Sequence, residues 1–246
     1  MSIPTRFFGD PTSSSIILFV GGSGDSKDSF TSLITQLVVA FPHYKFITFS
    51  FRGVEDHKNL LLSQQIDDLK WVIKSILETD ESKITLVATS NGAYSSSHIL
   101  INPQFHRHIK NIVFLDPADH YINTQITVKE ARTWTGLQPY LPSNPTSSTL
   151  LQHISSDIKI NVVNFTIRNY GVEGYVEMHD RGIDNKNKYT RLNNDMVKSF
   201  YQNTPNKNRG LYIEDDTLPH AFMRDGDVEK NIRRITHILQ RCLSGN

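Results

Sequence analysis

Short apolar runs recur along this chain, separated by longer stretches whose apolar residues repeat at helical spacing. The runs are Ile16–Val20, Lys45–Phe51, Ile84–Thr89, Asn111–Leu115, Ile160–Ile167 and Gly210–Ile213. Runs so short and so uniformly apolar fit strands buried on both faces, as in a parallel sheet covered by helices. The stretches between them supply those helices. Ser29–Ala40 carries Phe30, Leu33, Ile34, Leu37 and Val38 at helical spacing, and Ser63–Leu77 carries Ile66, Leu69, Ile73 and Leu77. Asn91–Leu100, Leu192–Tyr201 and Val228–Leu243 complete the set, the last behind an Asp227 N-cap. The expected architecture is α/β: three α/β/α layers around a mostly parallel central sheet, in one domain over residues 1–246. Asp119–Asp157 breaks the pattern. It is rich in Thr, Ser, Pro and Gln, holds Trp134 and Tyr140, and is expected to form a small cap or lid over the strand ends.

Composition narrows the partners. With 246 residues and 38% hydrophobic content the chain can bury one sizeable core. Lys and Arg number 26 against 25 Asp and Glu, so no net field recruits nucleic acid or an anionic membrane. The expected partner is a small-molecule acyl substrate. Cys242, the single cysteine, excludes an internal disulfide and a cysteine-ligated metal site. Met1–Phe8 holds no apolar signal region, and no stretch reaches the roughly 20 apolar residues of a membrane span. A cytoplasmic location is expected from these features.

Ile84–Thr89 ends at Ser90 and continues into the small residues Asn91-Gly92-Ala93. A serine at a sharp strand-to-helix turn is held exposed, where a weak hydroxyl meets substrate and base together. The residues two before and two after it face each other with little room for side chains. Ala88 and Gly92 fill those places, Ala88 departing from the usual G-x-S-x-G by one methyl. The plainer reading makes Ser90 a helix N-cap, so the pentapeptide needs its context.

An open parallel sheet binds ligands beyond the carboxyl ends of its strands. After successive runs stand Gly21-Gly22-Ser23-Gly24-Asp25-Ser26, Arg52-Gly53, Ser90, Asp116-Pro117-Ala118-Asp119 and His220. Serine, acid and histidine occur in that order, with the histidine between the final strand and the final helix. The glycines could instead form a phosphate loop, but no Lys-Ser or Lys-Thr follows and the spacing does not suit a dinucleotide fingerprint.

In these residues the chain resembles the α/β-hydrolase superfamily, from about Ile16 to Leu243. Leu18–Ser26 is similar to the strand and oxyanion loop that in many members reads H-G-x-G, with Gly21 where the histidine often stands. Phe51-Arg52-Gly53 resembles the family's D-x-R-G turn and Gln65–Leu69 the helix after it. Ala88–Gly92 resembles the elbow, and Leu218-Pro219-His220-Ala221-Phe222 the histidine loop. The resemblance implies the α/β-hydrolase fold and a serine hydrolase that cleaves an ester or thioester with no cofactor and no metal. Ser90 is the expected nucleophile and His220 the expected base. The expected oxyanion donors are the backbone N–H groups of Asn91 and Ser23, with Gly22 the neighbouring candidate.

The acid is open at this point. In most of the superfamily it follows the penultimate strand, where Glu173 is the nearest carboxylate and Asp180 and Asp184 lie further on. The alternative is Asp116, because Leu115-Asp116-Pro117 resembles a segment that carries the acid in some vertebrate lipases. Asp116 ranks first, Glu173 next, then Asp184. Two other readings stand beside the hydrolase: an acyltransferase or lyase on the same scaffold, and a catalytically silent ligand-binding member of the fold. Among the remaining residues, His57 and His120 are candidates to line a pocket, His98 to be packed or solvent-facing, and His106 and His108 to lie on the surface. Arg52 is expected to bridge loops, and Trp134 and Tyr140 to form cap core.

Overall fold

The computed structural model describes residues 3–22, 24–54, 61–78, 83–119, 146–154, 157–166, 195 and 197–244. Strands β1 (Thr5–Gly9), β2 (Ser15–Val20), β3 (Lys45–Phe49), β4 (Lys83–Thr89), β5 (Ile109–Leu115), β6 (Lys159–Phe165) and β7 (Arg209–Asp215) form a seven-stranded sheet. Their order is β1-β3-β2-β4-β5-β6-β7. All neighbours are parallel except β1, which pairs antiparallel with β3. Around the sheet lie α1 (Thr31–Ala40), α2 (Leu62–Leu77), α3 (Gly92–Leu100), the short α4 (Pro103–His106), α5 (residues 197–203) and α6 (Val228–Leu243).

Period-two alternation along each strand sorts its side chains onto two faces. Ile16, Leu18 and Val20 of β2 and Leu86 and Ala88 of β4 join one core with Leu69, Val72 and Ile73 of α2 and Ile99 of α3. Ile17 and Phe19 of β2 and Val87 of β4 join the other, with Leu33, Ile34 and Leu37 of α1 and Ile235, Ile238 and Leu239 of α6. Both faces of the sheet are thus apolar and covered, which is why the runs lack polar alternation. Asp227 caps α6 as expected, its Oδ1 accepting the Lys230 amide at 3.0 Å.

Several boundaries differ from expectation. The second run stops as a strand at Phe49, because the Ser50 amide turns to Pro4 O and Ser50 Oγ takes the Lys27 amide. Phe51 stays buried, edge-on to Phe49 with ring centroids 4.9 Å apart. The edge strand β1 was not foreseen: it faces solvent on much of its length, Phe7 being 60% exposed, and carries no buried run. At the far side Asn161 bridges a register shift between β6 and β7. Its Oδ1 accepts the Leu211 amide at 2.8 Å and its Nδ2 donates to Asn111 Oδ1 at 2.8 Å, so a side chain supplies the bond the irregular ladder lacks. Of the expected cap, Ser147–His153 forms a 3₁₀ turn packed on α3; residues 120–145 lie outside the described set.

Topology places the site. From β2 the chain steps outward to β3 and then returns across β2 to β4, so its direction reverses between β2 and β4. That reversal opens a crevice beyond their carboxyl ends. Val20 pairs with Ala88, Thr89 with Leu115, and Leu115 with Val163, so the strands end nearly flush there.

Candidate active site

Ser90 follows the last residue of β4 and has φ of 46°, in the left-handed region where an L residue is strained. The fold holds it there from both sides. Its amide donates to Leu115 O at 3.4 Å, and its carbonyl accepts the Ala118 amide at 3.1 Å. Gly92 is required by contact: a Cβ on it would lie 2.2 Å from Val20 O and 2.7 Å from Gly21 O. Ala88 is fully buried between Val20 and Phe114, so its methyl is absorbed by the core.

Asp116 follows β5 directly, with φ of 45° and its amide donated to Val163 O at 2.8 Å. His220 lies in the loop between β7 and α6. Several contacts fix that loop. Leu218 and Phe222 on either side of the histidine are buried in the core, Phe222 edge-on to Phe165. Asn231 Nδ2 of α6 donates to Phe222 O at 3.0 Å and Asp225 O at 2.8 Å. Asp215, the last residue of β7, accepts the amides of Thr217 and Leu218 on Oδ1 and Arg234 Nε on Oδ2 at 2.6 Å. Burial pushes the Asp215 carboxyl up, but the bonds from Thr217 and the Arg234 guanidinium together hold it below the usual carboxylate range.

These loops bring three side chains into one chain of hydrogen bonds. His220 Nε2 lies 3.1 Å from Ser90 Oγ, and His220 Nδ1 lies 2.5 Å from Asp116 Oδ2. The Asp116 side chain is 1% exposed and that of His220 22%, so a buried carboxylate pairs with a partly accessible ring. A carboxylate on Nδ1 selects the tautomer with its proton there, which turns the Nε2 lone pair toward the serine.

The glycine-rich loop passes close over Ser90: a Cβ on Gly22 would lie 3.2 Å from Ser90 Cβ. The Gly22 amide donates to Asp25 Oδ2 at 2.7 Å. Asn91 is buried at the start of α3, in the first turn whose amides point out of the helix N-terminus. Ser23 lies outside the described residues, as do His57, His120, Trp134, Tyr140, Glu173, Asp180 and Asp184.

No protein-family model matches the chain, and no curated protein matches it in sequence. Solved structures do match in shape. A protein described as a non-heme bromoperoxidase from Mycobacterium tuberculosis superposes with TM-score 0.62 at 12% identity, over 100% of this chain and 97% of its own. A lipase-esterase related protein from Clostridium acetobutylicum gives 0.57 at 14% identity over 98% and 99%. A soluble variant of monoglyceride lipase from Saccharomyces cerevisiae, in complex with a substrate analog, gives 0.60 at 10% identity over 97% and 90%. The chain has the α/β-hydrolase fold.

The residues that meet here follow β4, β5 and β7, and other polar groups near them hold the frame. Arg52 bridges a turn to α2: its Nε pairs with Asp68 Oδ1 at 2.5 Å and its amide with Oδ2 at 2.8 Å. Burial raises the Asp68 carboxyl, with Arg52 opposing. His98 packs on Tyr94 of α3 with ring centroids 4.8 Å apart, and burial, with Lys70 nearby, lowers it to about 4. His106 and His108 flank the turn between α4 and β5, where Arg107 Nε donates to His108 Nε2 at 2.9 Å. Sequence reasoning missed Asp215 and Arg224. The Asp-Asp-Thr spacing of an Asx turn was the available signal for Asp215; Arg224 offered none. Among the described residues no helix is long and apolar enough to cross a membrane.

Proposed function

We propose that this chain is a serine hydrolase that cleaves an ester or thioester through an acyl-enzyme, with Ser90 as nucleophile, His220 as base and Asp116 as the acid behind it. The observation that carries the reading is the continuous Ser90–His220–Asp116 hydrogen-bond chain, assembled from three separate loops at the crevice of the sheet. The names of structural neighbours, lipase and esterase among them, agree with a hydrolytic use of the fold.

The chemistry follows from the geometry. Ser90 Oγ attacks the substrate carbonyl as its proton passes to His220 Nε2. Asp116 stabilises the imidazolium and keeps the ring in register. The oxyanion accepts from the Asn91 backbone N–H and a second amide of the glycine-rich loop, assigned to Ser23. His220 returns its proton to the leaving alcohol or thiol, giving the acyl-enzyme. Water then attacks by the same route, and Ser90 is regenerated. Every step is a proton or acyl transfer, which these side chains perform without a redox group.

Strain favours this over a silent ligand-binding protein. A chain with no use for Ser90 and Asp116 gains nothing by holding both in the left-handed region. Turnover of a p-nitrophenyl ester series by the wild type, Ser90→Ala and His220→Ala tests the proposal. Each variant is expected to lose about four or more powers of ten in kcat/KM, since the groups act as a unit. Turnover near the wild-type rate in Ser90→Ala contradicts it.

A further inference from the structure

Arg224, just beyond His220, reaches back across the crevice to the glycine-rich loop. Its Nη2 donates to Asp25 Oδ1 at 2.7 Å and to the Gly24 carbonyl at 2.8 Å. The same carboxylate turns its other oxygen inward. Asp25 Oδ2 accepts the Gly22 amide at 2.7 Å and lies 3.5 Å from Thr89 Oγ1, beside Ser90 in the chain. The Asp25 amide closes the turn by donating to Gly22 O at 3.2 Å. One carboxylate thus touches the loop after β2, the strand end that presents Ser90 and the loop that carries His220.

We propose that Asp25 is a positioning residue that locks the glycine-rich loop against the nucleophile and histidine loops, so that a backbone amide of this loop is fixed before an oxyanion forms. The proposal rests on the reading of Ser90, His220 and Asp116 as a hydrolytic triad. Glycines lose more backbone freedom on ordering than any other residue, so a loop built from them needs an external tether. Asp25 is that tether, and it explains why the loop is glycine there. A Cβ on Gly21 would lie 2.6 Å from Asp25 Cβ, and one on Gly22 would lie 3.3 Å from Asp25 Oδ2. The Arg224 arm is exposed, its side chain 54% accessible, and an ion pair at that exposure holds weakly. The bond from the buried Gly22 amide to Oδ2 of a carboxylate whose side chain is 21% exposed is the stronger hold.

An oxyanion donor acts in the transition state, so misplacing it lowers kcat and spares substrate affinity. The test measures kcat and KM on an activated ester, inhibition by a trifluoromethyl ketone, and hydrogen–deuterium exchange across residues 20–26, for Asp25→Ala, Asp25→Asn and Arg224→Ala. Asp25→Ala is expected to lower kcat about 100-fold with KM within about 3-fold, to weaken the ketone by a like factor, and to speed exchange in the loop. Asp25→Asn keeps an acceptor for the Gly22 amide and is expected to recover most of kcat, with Arg224→Ala within about 5-fold of wild type. Wild-type kcat and exchange in Asp25→Ala, or a loss confined to KM, overturns the proposal. Should Asp25→Ala fail to fold, an Asp25→Asn variant that is as impaired as Ser90→Ala, with exchange unchanged, overturns it as well. If the wild type turns over no ester, the triad reading fails by itself. The exchange arm then decides the tether: faster exchange in Asp25→Ala supports it, and unchanged exchange overturns it.

Discussion

Ser90 and Asp116 share a backbone conformation: their φ angles are 46° and 45°, and among the described residues no other non-glycine residue has a positive φ. The two follow the ends of adjacent strands, and the loop behind Asp116 returns an amide, that of Ala118, to the Ser90 carbonyl. Such a conformation costs about 1–3 kcal/mol per residue. Glycine carries no such cost. Ser90→Gly is therefore expected to abolish activity while stabilising the fold by about 1 kcal/mol, a rise in Tm of about 2–4 °C for a chain of this size. Differential scanning calorimetry checks it.

Asp116 has a sharper test than removal. Asp116→Asn keeps the size of the side chain but offers His220 Nδ1 an amide in place of a carboxylate, which loses the cation stabilisation and disturbs the tautomer. A fall in kcat of about 10³–10⁴-fold with little change in KM is expected. Glu173→Gln and Asp184→Asn are expected to stay within a few-fold of wild type, roughly the scatter of changes that spare the acting groups. Steady-state kinetics on one ester compares all three.

Two glycines separate folding from function. A Cβ on Gly92 meets backbone atoms of Val20 and Gly21, which cannot move without displacing β2. Gly92→Ala is expected to destabilise by about 3 kcal/mol, read from urea unfolding. The Cβ of Gly22→Ala would meet the Ser90 side chain at 3.2 Å instead. That variant is expected to fold and to lose most of the proposed esterase activity.

His98 makes stability depend on pH. Burial, with Lys70 nearby, holds it at about 4 in the folded chain against the ordinary value of 6.5. Between these values the unfolded chain binds the extra proton, so stability rises with pH across that window. The His98 contribution is complete above about pH 6.5 and is lost as pH falls toward about 4, amounting to roughly 1–3 kcal/mol. Comparing urea midpoints at about pH 7.5 and about pH 4.5, His98→Gln is expected to lose less stability on acidification than the wild type. An equal loss in both contradicts the assignment.

The layers were legible because burial on both faces leaves its mark in local composition: Ile16–Val20 and Ile84–Thr89 read as strands with no knowledge of their neighbours. The edge strand Thr5–Gly9 left no such mark, since one side of it faces water and its hydrogen bonds run to β3, far along the chain. Ser90 and His220 could be singled out as candidates from the residues around them. The carboxylate that meets His220 could not. Asp116 and His220 lie 104 residues apart, and only the flush ends of β4, β5, β6 and β7 bring them to 2.5 Å. Asp25 and Arg224 show the same limit at 199 residues, because a side-chain bond across two loops has no local pattern.

Ser90, as proposed, is an activated nucleophile. Intact-mass and peptide spectrometry after exposure to a fluorophosphonate measures that property without any assumption about substrate. One adduct per folded chain is expected, located on Ser90 and absent after heat denaturation and in His220→Ala. A folded wild-type chain that takes no adduct, or takes it on another residue, contradicts it.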